Sequence, residues 1–126
     1  MADSIEILSH TASLSYTGEK FKGDGYYGVS DGLHTTAWTL NNFLGRIRLE
    51  ASLATTPGDN DWYAIPIGSG TDYKEYTAQT SETVAFSFTG NHVWVRARID
   101  RSALDPVPSE YNQALHGTVE KVLLNR

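Results

Sequence analysis

Alternation of apolar and polar residues with a period of two dominates the chain and predicts half-buried β-strands. The clearest run is 46–53, where one face is apolar and the other is polar and charged. The same pattern recurs at 83–89 and 92–100. The apolar faces of these runs predict one buried core, made of Ile47, Leu49, Leu53, Val84, Phe86, Phe88, Val93, Val95 and Ile99.

Weaker alternation predicts further strands at 6–16, 35–40, 62–67, 71–76 and 118–124. Segments rich in Gly, Pro, Asp and Asn separate them, as turns do between short strands. The segment 108–115 is the one candidate for a helix. About eight short strands at this spacing predict an all-β fold. We expect an antiparallel, jelly-roll-like β-sandwich formed by residues 1–126 as a single domain.

The bulk composition narrows the class of function. A chain of 126 residues has room for one core, and its net charge of −5 argues against general affinity for nucleic acid. The chain has no cysteine, which excludes disulfides and thiolate chemistry. It shows no signal-peptide pattern at its start and no apolar run of the roughly 20 residues that span a bilayer. We expect a soluble protein made in a cytoplasm, with no membrane or nucleic-acid partner.

Two short motifs match the sequence patterns of known cofactor-binding and catalytic sites. Residues 23–28 match the dinucleotide-binding pattern G-x-G-x-x-G, and residues 28–32 match the nucleophile-elbow pattern G-x-S-x-G with Ser30 at its centre. Both patterns need a buried strand before them and a helix after them, and this sequence predicts neither. We interpret the glycines as a flexible loop with positive φ angles. Ser30 and His34 are therefore not expected to be catalytic, and we predict a non-enzyme without a cofactor.

The acidic turn Asp59-Asn60-Asp61 raises the question of calcium. An EF-hand would need an oxygen ligand and then a glycine where Tyr63 and Ala64 stand, so that pattern fails. An Asx-type turn is favoured, and calcium binding by Asp59 and Asp61 in another geometry is left open. The four histidines have no metal-like spacing with one another, which argues against zinc.

Aromatic and cationic side chains are the better candidates for a functional surface. The aromatic set is Tyr26, Tyr27, Trp38, Trp62, Tyr63 and Trp94. Trp94 lies on the polar face of its strand, so it is expected to point outward or to lie under a loop. Tyr, Trp and Arg are enriched in interface cores. We therefore predict a partner interface at Tyr26, Tyr27, Trp94 and Arg96, with stacking of sugar rings on the same aromatics as the alternative.

Four arginines, Arg46, Arg48, Arg96 and Arg98, would form a stripe if their strands are neighbours. In a chain of negative net charge, the simplest interpretation is a solvated sheet face on which they pair with Glu50 and Asp100. A salt-bridged contact with another subunit is the next most favoured interpretation, and a nucleic-acid surface is the least favoured.

Several strand-and-turn motifs are similar to those of a known family. They are residues 25–35 (GYYGVSDGLHT), 43–47 (FLGRI), 51–57 (ASLATTP) with 61–62 (DW), 88–91 (FTGN), 95–98 (VRAR) and 119–126 (VEKVLLNR). With these motifs the chain resembles a family of small virion proteins encoded by tailed bacteriophages, notably those of cyanobacteria and other marine bacteria.

The resemblance implies a non-enzymatic structural component of a phage particle. Such a protein would be a capsid decoration or cement protein, or a tail-associated virion protein. Its partners would be other virion proteins of the capsid or tail, and it would form a homo-oligomer and reside in the virion after assembly in the host cytoplasm. The resemblance does not separate head from tail and carries no catalytic residues. The alternative function is a β-sandwich module that binds a carbohydrate or a receptor.

Overall fold

Antiparallel β-strands make up most of the molecule. The structure, a computed structural model, describes residues 4–9, 13–27, 32–67, 72–102, 104 and 108–125. Its strands are β1 (Ser4–Leu8), β2 (Tyr16–Thr17), β3 (Phe21–Lys22), β4 (Leu33–Ser52), β5 (Tyr63–Ile65), β6 (Lys74–Thr89), β7 (Trp94–Asp100) and β8 (Thr118–Asn125). Two short helices are α1 (Asp24–Tyr27) and α2 (Gln113–His116). The predicted all-β, antiparallel class is confirmed.

Strand β4, 20 residues long, organises the sheet. On one side its first half pairs with β8, and its second half, from Arg46 onward, pairs with β7. On the other side β6 runs antiparallel along both halves, from Leu33 opposite Thr89 to Ile47 opposite Lys74. The strand β5 extends that side opposite residues 49–51. Both halves of the molecule therefore share one long β4–β6 pair.

A bend in the middle of β4 explains why the sequence suggested two strands there. The pairing register with β6 shifts twice between Leu40 and Gly45. Within this stretch Asn42 has φ 52° and Gly45 has φ 132°. Such bulges bend a strand without ending its pairing. The predicted strands 35–40 and 46–53 are therefore one strand, and those at 71–76 and 83–89 likewise merge in β6.

The pairing joins all eight strands into one curled sheet. Its path is β1-β8-β4-β7-β2, with β3 also on β7 and with β5 and β6 on β4. The apolar core fills the inside of the curl. Since the strands form one continuous sheet, the finer prediction of a jelly-roll-like sandwich is not confirmed.

The inner faces of β4, β7 and β8 supply most of the core. Its fully buried members include Trp38, Phe43, Ile47, Leu49, Val95, Ala97, Ile99, Val119, Val122 and Leu124. The predicted burial of Ile47, Leu49, Val95 and Ile99 is confirmed. Val84, Phe86 and Phe88 are only partly buried and pack against the core from β6, and Val93 is half-buried.

The prediction for Leu53 is wrong, since its side chain is 64% exposed. Strand β4 ends at Ser52, whose hydroxyl accepts a hydrogen bond from the backbone N–H of Ala54 at 3.1 Å. The chain turns at this point, so the alternation of inner and outer side chains stops one residue earlier than the sequence pattern suggested.

The helix predictions need two corrections. Within the predicted segment 108–115 the helix α2 begins only at Gln113, after the Asn112 side chain accepts a bond from the Ala114 amide. The helix α1 lies in the segment that was expected to be a flexible loop. Gly23 and Gly25 do not have the positive φ predicted for them, because the positive-φ glycines of the described chain are Gly32, Gly45, Gly90 and Gly117.

Candidate interaction surface

The outer face of β4 and β7 carries an ordered array of charges. Directly opposite pairs on this face are Ser52 with Trp94, Glu50 with Arg96, Arg48 with Arg98 and Arg46 with Asp100. Their positions alternate with the core residues, as the period of two requires. The register brings the predicted site residues Trp94 and Arg96 onto the same face as the other arginines of the predicted stripe.

Ion pairs neutralise most of this array. Glu50 forms ion pairs with Arg96 at 2.8 Å and with Arg98 at 3.4 Å, and Asp100 forms one with Arg48 at 3.2 Å. Arg46 contacts Glu75 of β6 at 2.9 Å. The predicted pairing of the stripe with Glu50 and Asp100 is confirmed for Arg48, Arg96 and Arg98, whereas Arg46 pairs with Glu75 instead.

Asp100 is held as a carboxylate within this network. Burial by itself raises its pKa, but hydrogen bonds from the Ser102 hydroxyl and amide and the charge of Arg48 together lower the pKa below 3.8. The Ser102 bonds measure 2.6 Å and 2.9 Å. The negative charge that anchors Arg48 is therefore maintained at neutral pH.

Two aromatic rings stack on the arginines. The guanidinium of Arg96 lies 4.0 Å from the centre of the Trp62 ring. Those of Arg46 and Arg48 lie 3.8 Å and 5.1 Å from the Tyr73 ring. Stacking of this kind adds cation–π attraction and restricts each guanidinium. The array is thus preorganised.

A second cation–aromatic cluster lies beside the array at β3 and α1. The ring of Tyr26 meets that of Trp94 edge-on at 5.3 Å. The ammonium of Lys22 lies 4.4 Å from the Tyr26 ring, and that of Lys20 lies 5.1 Å from the Trp94 ring. Trp94 also donates its indole N–H to the Thr55 carbonyl at 3.2 Å, which confirms the expectation that it lies outward under a loop.

Close backbone packing holds Tyr26 in this position. The amides of Gly23 and Gly25 donate to the carbonyls of Val93 and His92, each at 2.9 Å. A Cβ atom would come within 2.4 Å of the His92 oxygen at Gly23, and within 2.1 Å of the Asn91 oxygen at Gly25. The glycines are therefore needed for the approach of two backbones, which docks α1 against the start of β7.

His34 has a structural role. Its ring is fully buried and stacks on Phe88 at 4.9 Å. Its Nε2 accepts the Asp24 amide hydrogen at 3.0 Å, so its Nδ1 carries the proton that is donated to the Gly32 carbonyl at 2.8 Å. Both ring nitrogens are occupied by backbone groups. Ser30 lies outside the described residues.

The remaining aromatic candidates separate into three cases. Trp38 is fully buried and donates to the Thr36 hydroxyl at 3.1 Å, so it belongs to the core. Tyr63 is 39% exposed and its hydroxyl bonds the His92 ring at 2.6 Å. Tyr27 ends helix α1, and its side chain lies outside the described part of the structure.

The acidic turn at residues 59–61 is closed by hydrogen bonds between Asp61 and Gly58. Asp61 accepts the Gly58 amide at 2.7 Å, and its amide in turn donates to the Gly58 carbonyl at 3.1 Å. Within the described ranges no group of three or more His, Cys, Asp or Glu side chains is arranged to hold a metal ion.

Sequence reasoning missed Lys20, Lys22 and Tyr73 as members of the surface. Lys20-Phe21-Lys22 does alternate with the period of a strand, and β3 puts the half-buried Phe21 opposite Val95 with Lys22 outward. This alternation was the available signal, but it covers only three residues. Nothing in the sequence indicated that Tyr73 would stack on arginines 46 and 48.

Comparisons with models of protein families, with curated proteins and with solved structures found no match to this chain. No helix in the described ranges is long and apolar enough to cross a membrane.

Proposed function

We propose that this protein is a non-enzymatic structural component of a bacteriophage particle, as a capsid decoration or cement protein or a tail-associated protein. It would bind neighbouring virion subunits through the outer face of β4 and β7. The resemblance of its motifs to small phage virion proteins supplies the biological setting. The observation that carries the proposal is the joining of Tyr26, Trp94 and Arg96 in one cation–aromatic surface.

Such a surface suits protein contact. Ring stacking and ion pairs fix its arginines in advance, so little side-chain entropy is lost on binding. Aromatic and arginine anchors dominate the energetics of interfaces. The buried, doubly hydrogen-bonded ring of His34 supports a non-catalytic role for the histidine that follows the nucleophile-elbow pattern.

The test is occupancy on purified particles, measured by quantitative mass spectrometry. Tyr26→Ala, which truncates a ring that is 45% exposed, and Trp94→Ala should each lower the number of retained copies. Truncation of an interface anchor typically costs about 2 kcal/mol of binding or more. Leu115→Ala is the control, because Leu115 is 58% exposed on α2, outside this surface.

Circular dichroism should show that each isolated variant is folded. Occupancy at the level of the unsubstituted chain in both variants, together with a tight glycan complex that uses the same rings, would favour the carbohydrate-binding alternative. Labelling of Ser30 by a serine-reactive probe would contradict the non-enzyme proposal.

A further inference from the structure

The cation–aromatic surface carries a local excess of positive charge. It holds six of the ten basic side chains, Lys20, Lys22, Arg46, Arg48, Arg96 and Arg98. Within the described part of the chain, its ion pairs use three acidic side chains, Glu50, Glu75 and Asp100. This surface therefore holds more basic side chains than acidic ones paired with them, in a chain whose net charge is −5.

Among the described residues, the two lysines are the basic side chains of this surface that form no ion pair. Both are exposed, and their ammonium groups lie over the rings of Trp94 and Tyr26. Within the described residues, neither ammonium lies within 4.0 Å of a carboxylate oxygen. Tyr26 on α1 and Lys22 on β3 are both exposed, and we call this pair the projection.

An acidic groove lies where the two ends of the curled sheet approach each other. Gly18, next to β2, lies so close to β1 that a Cβ atom there would be 3.3 Å from the Leu8 side chain. The groove holds about 460 Å³ and is lined by Glu6, Ile7, Leu8, Ser9, Tyr16, Glu19 and Phe21. Both glutamates are exposed at its rim, and the Tyr16 ring is 42% exposed.

We infer that the Tyr26–Lys22 projection of one copy docks in the acidic groove of a second copy of this chain. The occupant follows from charge complementarity, since the lysines have no carboxylate partner among the described residues and the groove presents two carboxylates beside the rings of Tyr16 and Phe21. The inference rests on the proposed function as an assembling subunit.

The test uses two charge-reversal variants of the full chain. Lys20→Glu/Lys22→Glu disables the projection and leaves the groove intact, whereas Glu6→Lys/Glu19→Lys does the reverse. Analytical ultracentrifugation at low salt should show concentration-dependent association of the unsubstituted chain. Each variant alone should associate at least about tenfold more weakly, because like charges then face each other.

Mixing the two variants provides the decisive measurement. In the mixture each projection meets a groove of opposite charge on the other variant, for the reversed pair as well as for the unsubstituted pair, so the two variants should associate with each other. Association of the unsubstituted chain should also weaken as salt rises. Lys121→Glu and Glu110→Lys are the matched controls, since they reverse exposed charges elsewhere and should leave association unchanged.

An unsubstituted chain that stays monomeric at low salt, variants that associate like it, or a mixture in which the two variants do not associate would each overturn the inference. Particle occupancy separates this failure from that of the proposed function. A chain that is monomeric in solution but retained on particles through Tyr26 would keep the virion role and lose only the self-docking. Self-association without incorporation into particles would keep the self-docking and contradict the virion role.

Discussion

At the scale of single residues, Arg101 is held by an unusual number of backbone carbonyls for one side chain. It is 2% exposed, and its guanidinium donates to the carbonyls of Leu44, Ser13, His116 and Gly117. Burial lowers its pKa, which the neighbouring Tyr111 partly offsets. These bonds tie the bend of β4 to the end of α2, so one side chain connects parts of the chain that are distant in sequence.

We predict that Arg101→Met destabilises the protein by about 3 kcal/mol or more, because buried carbonyl oxygens lose their charged donor. Arg98→Met is the matched control. Its side chain is 42% exposed and makes one ion pair of 3.4 Å, so its loss should cost about 1 kcal/mol or less. Urea denaturation measures both. Equal losses of unfolding free energy in the two variants would contradict the role of Arg101 in connecting the bend of β4 with the end of α2.

Two histidines should make the stability sensitive to acid. Burial, together with the nearby charge of His34 for His92 and of Arg101 for His116, lowers the pKa of each ring below 6.5. As the pH falls through 6.5, the unfolded chain therefore binds protons that the folded chain does not. The contribution to stability is complete above that pH and is lost progressively below it.

The expected result is a lower urea midpoint at about pH 5.5 than at about pH 7.5. His92→Gln should reduce this difference, because one of the two responsible rings is gone. The comparison is made within each variant, so a general loss of stability in His92→Gln does not affect it. An unchanged pH dependence in the variant would show that His92 does not contribute.

At the scale of elements, the bend in β4 determines the course of the sheet. Gly45 has φ 132°, and a Cβ atom there would lie 2.7 Å from the Cγ of Arg101. At this position the backbone angle and the lack of space both require glycine. The bend and the buried arginine are thus one structural unit.

Gly45→Ala should destabilise the protein by more than about 1 kcal/mol, since it adds both strain and a clash. Gly58→Ala serves as the control, because a Cβ atom there would contact only the Asp61 carboxylate at an ordinary 3.6 Å. Thermal denaturation compares the two. A Gly58 variant as unstable as the Gly45 variant would indicate that loss of glycine itself, and not the bend, is responsible.

The bend also marks the limit of what the sequence could predict. Alternation identified both halves of β4, because it depends only on local burial. It could not identify their continuity, since the Asn42–Gly45 bulge that joins them packs against Arg101, which lies far along the chain. Likewise, Trp94 and Arg96 were found from their strand face. Their contacts with Lys20 and Trp62 depend on tertiary packing that no short pattern encodes.

At the scale of the whole molecule, the curled sheet has no internal boundary among its described strands. The β4–β6 pair runs through both halves, and one core cluster contains Trp38 before the bend together with Ile47 and Ile99 after it. Unfolding the β7 half alone would expose the inner face of the second half of β4. That loss of buried apolar area makes a half-folded state costly.

Both halves should therefore unfold in a single transition. Replacement of Trp62 and Trp94 by Phe leaves Trp38 as the only tryptophan, so its fluorescence reports the core beside β8, whereas far-UV circular dichroism reports all strands. We expect the urea midpoints of the two signals to coincide, as they do for two-state domains. A first dichroism transition that leaves the Trp38 signal unchanged would mean that the β7 half opens independently, and that the shared β4–β6 pair does not couple the halves.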